Sequence, residues 1–251
     1  MKDEEKPLIL PPAKQSFILA SMPLQIEKIK ALLFDLDGTL ADTDDDYIRT
    51  AARWVRPLNF LFPRRDPTPF LRWAVMTVES PVNTLMALPD WLSLDDELVA
   101  LMNWFTSLRG NPPPGQYALM AGVDAMLERL VARYPLALIT ARDAWRTRFM
   151  LDQLNLARFF PVVVSAQTAP HTKPYPDPVH HAARQLHLSA ADCLMIGDTT
   201  VDILAGKRAG AQTAAVLCGF GQRPELLRAG ADLIMNHTTD LETALTLTSD
   251  Q

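Results

Sequence analysis

The sequence has no lysine between Lys30 and Lys173. Mechanisms that condense an amine with a carbonyl substrate are closed to that long stretch. Cysteine is nearly missing too: Cys193 and Cys218 are the two among 251 residues, both inside apolar runs. They make neither a disulfide framework nor a metal knuckle, and read as small core side chains in a reducing compartment. There is no cationic excess, since the formal net charge is −5, which argues against a nucleic-acid-binding protein. Long apolar runs are absent as well. Phe17-Ile18-Leu19-Ala20 is too short to span a bilayer. The opening MKDEEKPLILPPAK mixes acids and prolines where a signal peptide would be apolar. The expectation is a soluble, cytoplasmic protein without a membrane or nucleic-acid partner. Nothing in the sequence bears on oligomeric state.

What is present is enough for a sizeable core: 48% of residues are hydrophobic and 21% charged. The length suits one large domain or two unequal ones. The stretch that organises the chain is Ala31-Leu32-Leu33-Phe34-Asp35-Leu36-Asp37-Gly38-Thr39-Leu40. An apolar run bounded by turn residues reads as a buried strand, here from about Ile29 to Asp35. It ends in two carboxylates one residue apart. Asp and Gly are common turn residues, but neighbouring carboxylates repel unless a cation or shared proton relieves them.

Around this strand the chain divides. Residues 1–28 read as an N-terminal extension, partly disordered or draped on the surface, because Pro7, Pro11, Pro12 and Pro23 oppose regular structure. Residues 42–116 are helical or looped, with candidate helices at 47–55, 68–79, 82–88 and 94–108. Asp44, Asp45 and Asp46 suit the cap and first turn of the first of these. The segment closes at the breaker Gly110-Asn111-Pro112-Pro113-Pro114-Gly115. It reads as a helical insertion, and its tryptophans as core. From Tyr117 the pattern alternates. Strands are predicted at 136–139, 162–164, 193–196, 213–217 and 233–235, and helices near 122–134, 144–154, 178–188, 201–209 and 224–228. Such alternation implies a mostly parallel sheet with helices on both faces. The core thus comprises residues 29–41 and 117–251.

Each strand end then contributes a group. The first gives Asp35 and Asp37, the second Thr140. The third leads to a loop carrying Lys173, and the fourth gives Asp198, with Asp202 four residues on. Parallel strands put these at one sheet edge, where α/β folds bind ligands. Carboxylates at this density suit Mg²⁺, which prefers oxygen ligands and shares its shell with water and phosphate. A lysine offsets charge and holds phosphate as a point charge. Asp as nucleophile gives an aspartyl-phosphate, and a second Asp can move protons. Taken singly, Thr140 suits an N-cap, Asp202 a surface helix and Lys173 a solvated loop. Arg142 is a candidate for substrate contact, Arg146 and Arg148 suit a solvated face, and His180 and His181 read as structural, with His171 undecided.

Asp35-Leu36-Asp37-Gly38-Thr39, Thr140, Lys173 within Thr-Lys-Pro-Tyr-Pro-Asp, and Gly197-Asp198-Thr199-Thr200-Val201-Asp202 resemble the four motifs of the haloacid dehalogenase (HAD) superfamily, in its order. The resemblance runs from about residue 29 to 240. It implies a Rossmann-like parallel α/β core with a helical cap inserted after the first strand, as in the phosphoglycolate-phosphatase and β-phosphoglucomutase branch. It further implies Asp35 as nucleophile and Mg²⁺ ligand, and Asp37 as general acid/base with its backbone carbonyl on the metal. Thr140 would hold the phosphoryl group and Lys173 would orient Asp35. Asp198 would ligate Mg²⁺, and Asp202 would be an outer ligand or brace Lys173. Tyr47 and Arg49 are candidates for substrate contact in the cap.

The branch can be narrowed. Dehalogenases of the superfamily lack an acid at the position of Asp37, and phosphonate-cleaving members need a cap lysine that this chain does not have. The expected activity is a Mg²⁺-dependent phosphatase acting on a small phosphorylated metabolite. The alternatives are a sugar-phosphate mutase and a non-catalytic binding protein on the same scaffold.

Overall fold

The computed structural model describes residues 17–19, 24–42 and 117–247. The expected cap helices, Asp44, Asp45, Asp46, Tyr47 and Arg49 lie outside the described residues.

The elements are β1 (Phe17–Leu19), β2 (Ala31–Phe34), β3 (Ala41–Asp42), β4 (Ala118–Leu119), α1 (Val123–Leu130), β5 (Leu136–Ile139), α2 (Ala144–Gln153), β6 (Val162–Val164), α3 (Asp177–Gln185), β7 (Cys193–Gly197), α4 (Thr200–Ala209), β8 (Gln212–Val216), α5 (Arg223–Arg228), β9 (Leu233–Met235) and α6 (Leu241–Leu247). Seven strands form one sheet in the order β1-β9-β8-β7-β2-β5-β6. All neighbours in it are parallel except β1, which pairs antiparallel with β9. The chain starts at β2, builds β5 and β6 to one side, then returns across β2 for β7, β8 and β9. That reversal beside β2 opens a crevice at the carboxyl ends of the strands.

The continuous apolar character of β2 has a direct cause: the strand is covered on both faces. Leu32 and Phe34 join the layer containing Met126, Leu127, Leu138 and Ile196. Ala31 and Leu33 face the other way, among Ala137, Val179, Ala182 and Met195. All four β2 side chains are fully buried. Residues that alternate sides of a strand therefore cannot alternate in polarity here. Cys193 sits in the second layer, and both cysteines are free thiols.

The observed elements match the predicted ones from β5 onward to within a few residues, helix ends being the looser. Three features lie beyond the sequence reading. Phe17–Leu19, within the presumed extension, is an edge strand in register with Leu233–Met235. Helix α6 follows β9. A separate two-stranded pair, β3 with β4, matches Ala41 to Leu119 and Asp42 to Ala118. Strands of two or three residues carry too little periodicity to be seen in sequence. Among the described residues no helix is long and apolar enough to cross a membrane.

Helix α4 lies against β7 and β8 because Gly206 lets it approach. A Cβ at Gly206 would come 2.6 Å from Thr213 Cγ2 and 3.0 Å from Met195 Cβ. Gly206→Val is therefore expected to destabilise the protein by about 2–3 kcal/mol through overpacking. The check is a lowered urea midpoint with an unchanged denaturant slope.

Candidate active site

Each candidate group is set by the backbone of a strand end. Asp35 directly follows β2, and its N–H donates to Ile196 O of β7 at 2.8 Å. The chain then turns tightly, with Leu40 N–H and Ala41 N–H both donating to Leu36 O at 3.0 Å. Gly38 adopts φ +73°, and a Cβ there would fall 2.3 Å from Asp198 Oδ2. Only glycine combines that conformation with so close an approach. Thr140 follows β5 and is fixed by its N–H donating to Val164 O at 2.9 Å. Asp198 follows β7. Asp202 lies in the first turn of α4, where Oδ2 accepts from Thr199 N–H (3.0 Å) and from the Thr199 hydroxyl (2.6 Å).

The structure brings Asp35, Asp198 and Asp202 together: each offers a carboxylate oxygen within 4.8 Å of the others, and all three are buried. Lys173, from the loop after β6, is buried among them. Its Nζ donates to Asp35 Oδ1 at 2.5 Å, Asp202 Oδ1 at 2.6 Å and Ile139 O at 3.1 Å. The two Asp202 oxygens therefore divide their work, one holding Lys173 and the other the start of α4. Asp37 stands apart from this cluster. Both its carboxylate oxygens are taken by Arg142, whose Nε and Nη2 donate at 2.6 Å each. The Thr140 hydroxyl accepts from Arg142 N–H at 3.1 Å. Of the residues weighed individually, His171 leaves the site, stacking on Tyr175 at 4.8 Å between ring centroids. Arg146 and Arg148 pair locally with Asp143 and Asp152.

Two features were missed in the sequence reading. One is the Arg142–Asp37 fork, which links residues 105 positions apart and leaves no local pattern. The other is the loop after β8, where Phe220 N–H donates to Asp198 Oδ2 at 2.8 Å. Its available signal was Gly219-Phe220-Gly221 shortly after β8, a pattern that admits close backbone approach.

Three carboxylates here face one ammonium, an excess of negative charge in a buried place. Burial, opposed by Lys173 and reinforced by Asp202 and Asp37, pushes the Asp35 carboxyl up to about 7. Burial and then the Asp202 and Asp35 charges raise Asp198 well above the carboxylate range. Burial would lower Lys173, but Asp202 and Asp35 more than reverse this and hold it above its ordinary value. An all-oxygen donor set with uncompensated negative charge fits a hard divalent cation.

Comparison with known proteins places the chain among relatives. The haloacid dehalogenase-like hydrolase family model matches residues 99–216. A phosphoglycolate phosphatase of Neisseria gonorrhoeae is 30% identical over 209 residues, covering 80% of this chain and 85% of that protein. Pyrophosphatase PpaX of Bacillus velezensis is 27% identical over 219 residues, covering 86% of this chain and 95% of that protein. Among solved structures, a haloacid dehalogenase-like hydrolase from Streptococcus pneumoniae superposes with a TM-score of 0.60 at 25% identity. The match covers 90% of this chain and all of that one.

A stability consequence follows from the crowded charge. A carboxyl raised by burial stabilises the fold while protonated, below the ordinary range near 3.8, and loses that contribution as pH rises through its raised value. Asp198→Asn keeps an acceptor for Phe220 N–H and never ionises. In chelator it is expected to melt at least about 2 °C above wild type at pH 8, with the gap narrowing toward pH 5. Melting curves at both pH values check this, and a gap that is constant or reversed contradicts it.

Proposed function

Because the chain belongs to the haloacid dehalogenase-like hydrolases, as a phosphatase of their phosphoglycolate-phosphatase-like branch, we propose that it hydrolyses a small phosphorylated metabolite with Mg²⁺, through an aspartyl-phosphate on Asp35. The observation that carries this reading is Asp35 itself. It is a buried carboxylate at the central strand's carboxyl end, held by Lys173 and grouped with Asp198 and Asp202.

The residues divide the chemistry as follows. Asp35 Oδ attacks phosphorus while the bond to the leaving oxygen breaks, leaving an acyl-phosphate. Lys173 holds the nucleophile's carboxylate in place and offsets the charge of the phosphoryl oxygens. The Thr140 hydroxyl, which already accepts from Arg142 N–H, has its own hydrogen to donate to a phosphoryl oxygen. Asp37 gives a proton to the departing oxygen, then takes one from the water that cleaves the acyl-phosphate. Asp35, Asp198 and the Asp37 backbone carbonyl would hold Mg²⁺, with Asp202 acting through Lys173. Bound there, Mg²⁺ supplies positive charge against the transferring phosphoryl group. The expected helical insertion is supported by the pairing of β3 with β4, since the chain leaves the core at Asp42 and re-enters it at Ala118 side by side. Small phosphorylated substrates are in keeping with the phosphatase and pyrophosphatase names of the relatives.

The test is a phosphatase screen over a metabolite panel with and without Mg²⁺, run beside Asp35→Asn. Removing the nucleophile is expected to lower kcat by about 10³-fold or more, and chelation to abolish turnover. Activity that survives either change contradicts the mechanism. Interconversion of hexose phosphates without phosphate release replaces the hydrolase with a mutase.

A further inference from the structure

The turn after β2 uses its backbone carbonyls unevenly. Leu36 O accepts from two amides, Leu40 O from Met120 N–H at 3.0 Å and Ala41 O from Gly38 N–H at 2.9 Å. Two more are taken by side chains of distant loops. The Thr238 hydroxyl donates to Thr39 O at 2.5 Å, and the Cys218 thiol donates to Gly38 O at 3.6 Å. Among the described residues none donates to Asp37 O.

Thr238 opens the helical turn Thr238–Asp240 that follows β9, and it is buried. Its single hydroxyl hydrogen goes to Thr39 O, since a carbonyl has none to give. The Cys218 sulfur lies 3.5 Å from Thr238 Oγ1, so between those two the thiol is the donor. Its hydrogen is shared between Thr238 and the Gly38 carbonyl, which makes it the weaker hold. Burial pushes the Cys218 thiol up and keeps that hydrogen on sulfur at neutral pH. Thr39 is buried too, and its own hydroxyl donates to Asp198 Oδ1 at 3.4 Å. Thr238 thus reaches Asp198 through one intermediate residue. The loop after β8 closes in on the same turn, where a Cβ at Gly219 would stand 2.6 Å from Gly38 O. A hard cation accepts any carbonyl oxygen that is offered to it. Turning Gly38 O or Thr39 O towards the carboxylate cluster would break a protein hydrogen bond and leave a donor without its acceptor. The Asp37 carbonyl carries no such cost.

Resting on the phosphatase reading, we infer that Thr238 is a positioning residue for that reaction, with Cys218 as its weaker partner. By holding the Thr39 and Gly38 carbonyls, they leave Asp37 O as the one carbonyl between Leu36 and Ala41 available to a divalent cation. Through the Thr39 hydroxyl, Thr238 also steadies Asp198 beside it. Neither side chain touches the cation or the substrate, and both act through the backbone of the turn.

The experiment measures Mg²⁺ binding by calorimetry, without substrate, in wild type, Thr238→Val, Thr238→Ser, Cys218→Ala and a control, Thr147→Val. Thr147 is buried as well, and its hydroxyl likewise donates to a backbone carbonyl, Asp143 O at 2.8 Å. Thr238→Val is expected to weaken Mg²⁺ binding about tenfold, the scale on which groups behind metal ligands act. Thr238→Ser keeps the hydroxyl and should recover most of that loss. Cys218→Ala should give a smaller loss, as befits a weak donor. Thr147→Val should lower stability and leave Mg²⁺ affinity as in wild type. With substrate and saturating Mg²⁺, Thr238→Val is expected to lower kcat while KM holds. A Thr238→Val protein that melts lower but binds Mg²⁺ like wild type overturns the proposal in favour of a structural brace. So does an equal weakening in Thr147→Val, or no Mg²⁺ uptake by wild type. Should Thr238→Val not fold, Cys218→Ala carries the test, and an unchanged Mg²⁺ affinity there overturns the proposal. Thr238-dependent Mg²⁺ binding by a wild type that hydrolyses no phosphorylated substrate counts against the phosphatase reading alone.

Discussion

One ammonium buried between two carboxylates is the contact on which the candidate site depends. Lys173 reaches Asp35 at the end of β2, Asp202 in the first turn of α4, and the Ile139 carbonyl at the end of β5. Three segments that share no sequence proximity are thereby held to one point. Removing either carboxylate would leave a buried cation with one carboxylate and one carbonyl, and removing the lysine would leave the acids without their cation. Truncating one member of such a buried group is far more damaging than its net contribution to stability would suggest. The acids do not cluster by accident of a polar edge, because burial works against every one of them. Their donor set is one that fits a hard cation.

The sheet supplies the precision. Parallel strands in register bring the carboxyl ends of β2, β5 and β7 to a common level, so positions 35, 140 and 198 lie along one edge of the sheet. This part was readable in sequence because continuous apolar runs ending in polar residues carry both the strand and its exit point. The order of motifs then implied the sheet edge, and the edge implied convergence. Helix ends were less legible. Fraying and single-turn extensions are decided by local hydrogen bonds such as those around Thr199 and Asp202, and these have little effect on composition.

What stayed hidden was contact across sequence distance. Asp37 and Arg142 look like an acid in a turn and a base before a helix until the fold places them face to face. The Phe220 amide that reaches Asp198 is a backbone group, marked in the sequence only by the glycines on either side of it. The edge strand Phe17–Leu19 was masked by the prolines around it, since its pairing with β9 is a tertiary event and not a propensity. In each case the missing information was which surfaces adjoin.

The small pair of β3 and β4 carries a wider consequence. A segment spliced into a domain normally taxes its host by separating chain ends that must be brought back together, an entropic charge that grows only with the logarithm of the excursion. Here Ala41 and Asp42 clasp Leu119 and Ala118, so departure and return are one joint. The two crossings are thereby tied at four residues, Ala41, Asp42, Ala118 and Leu119.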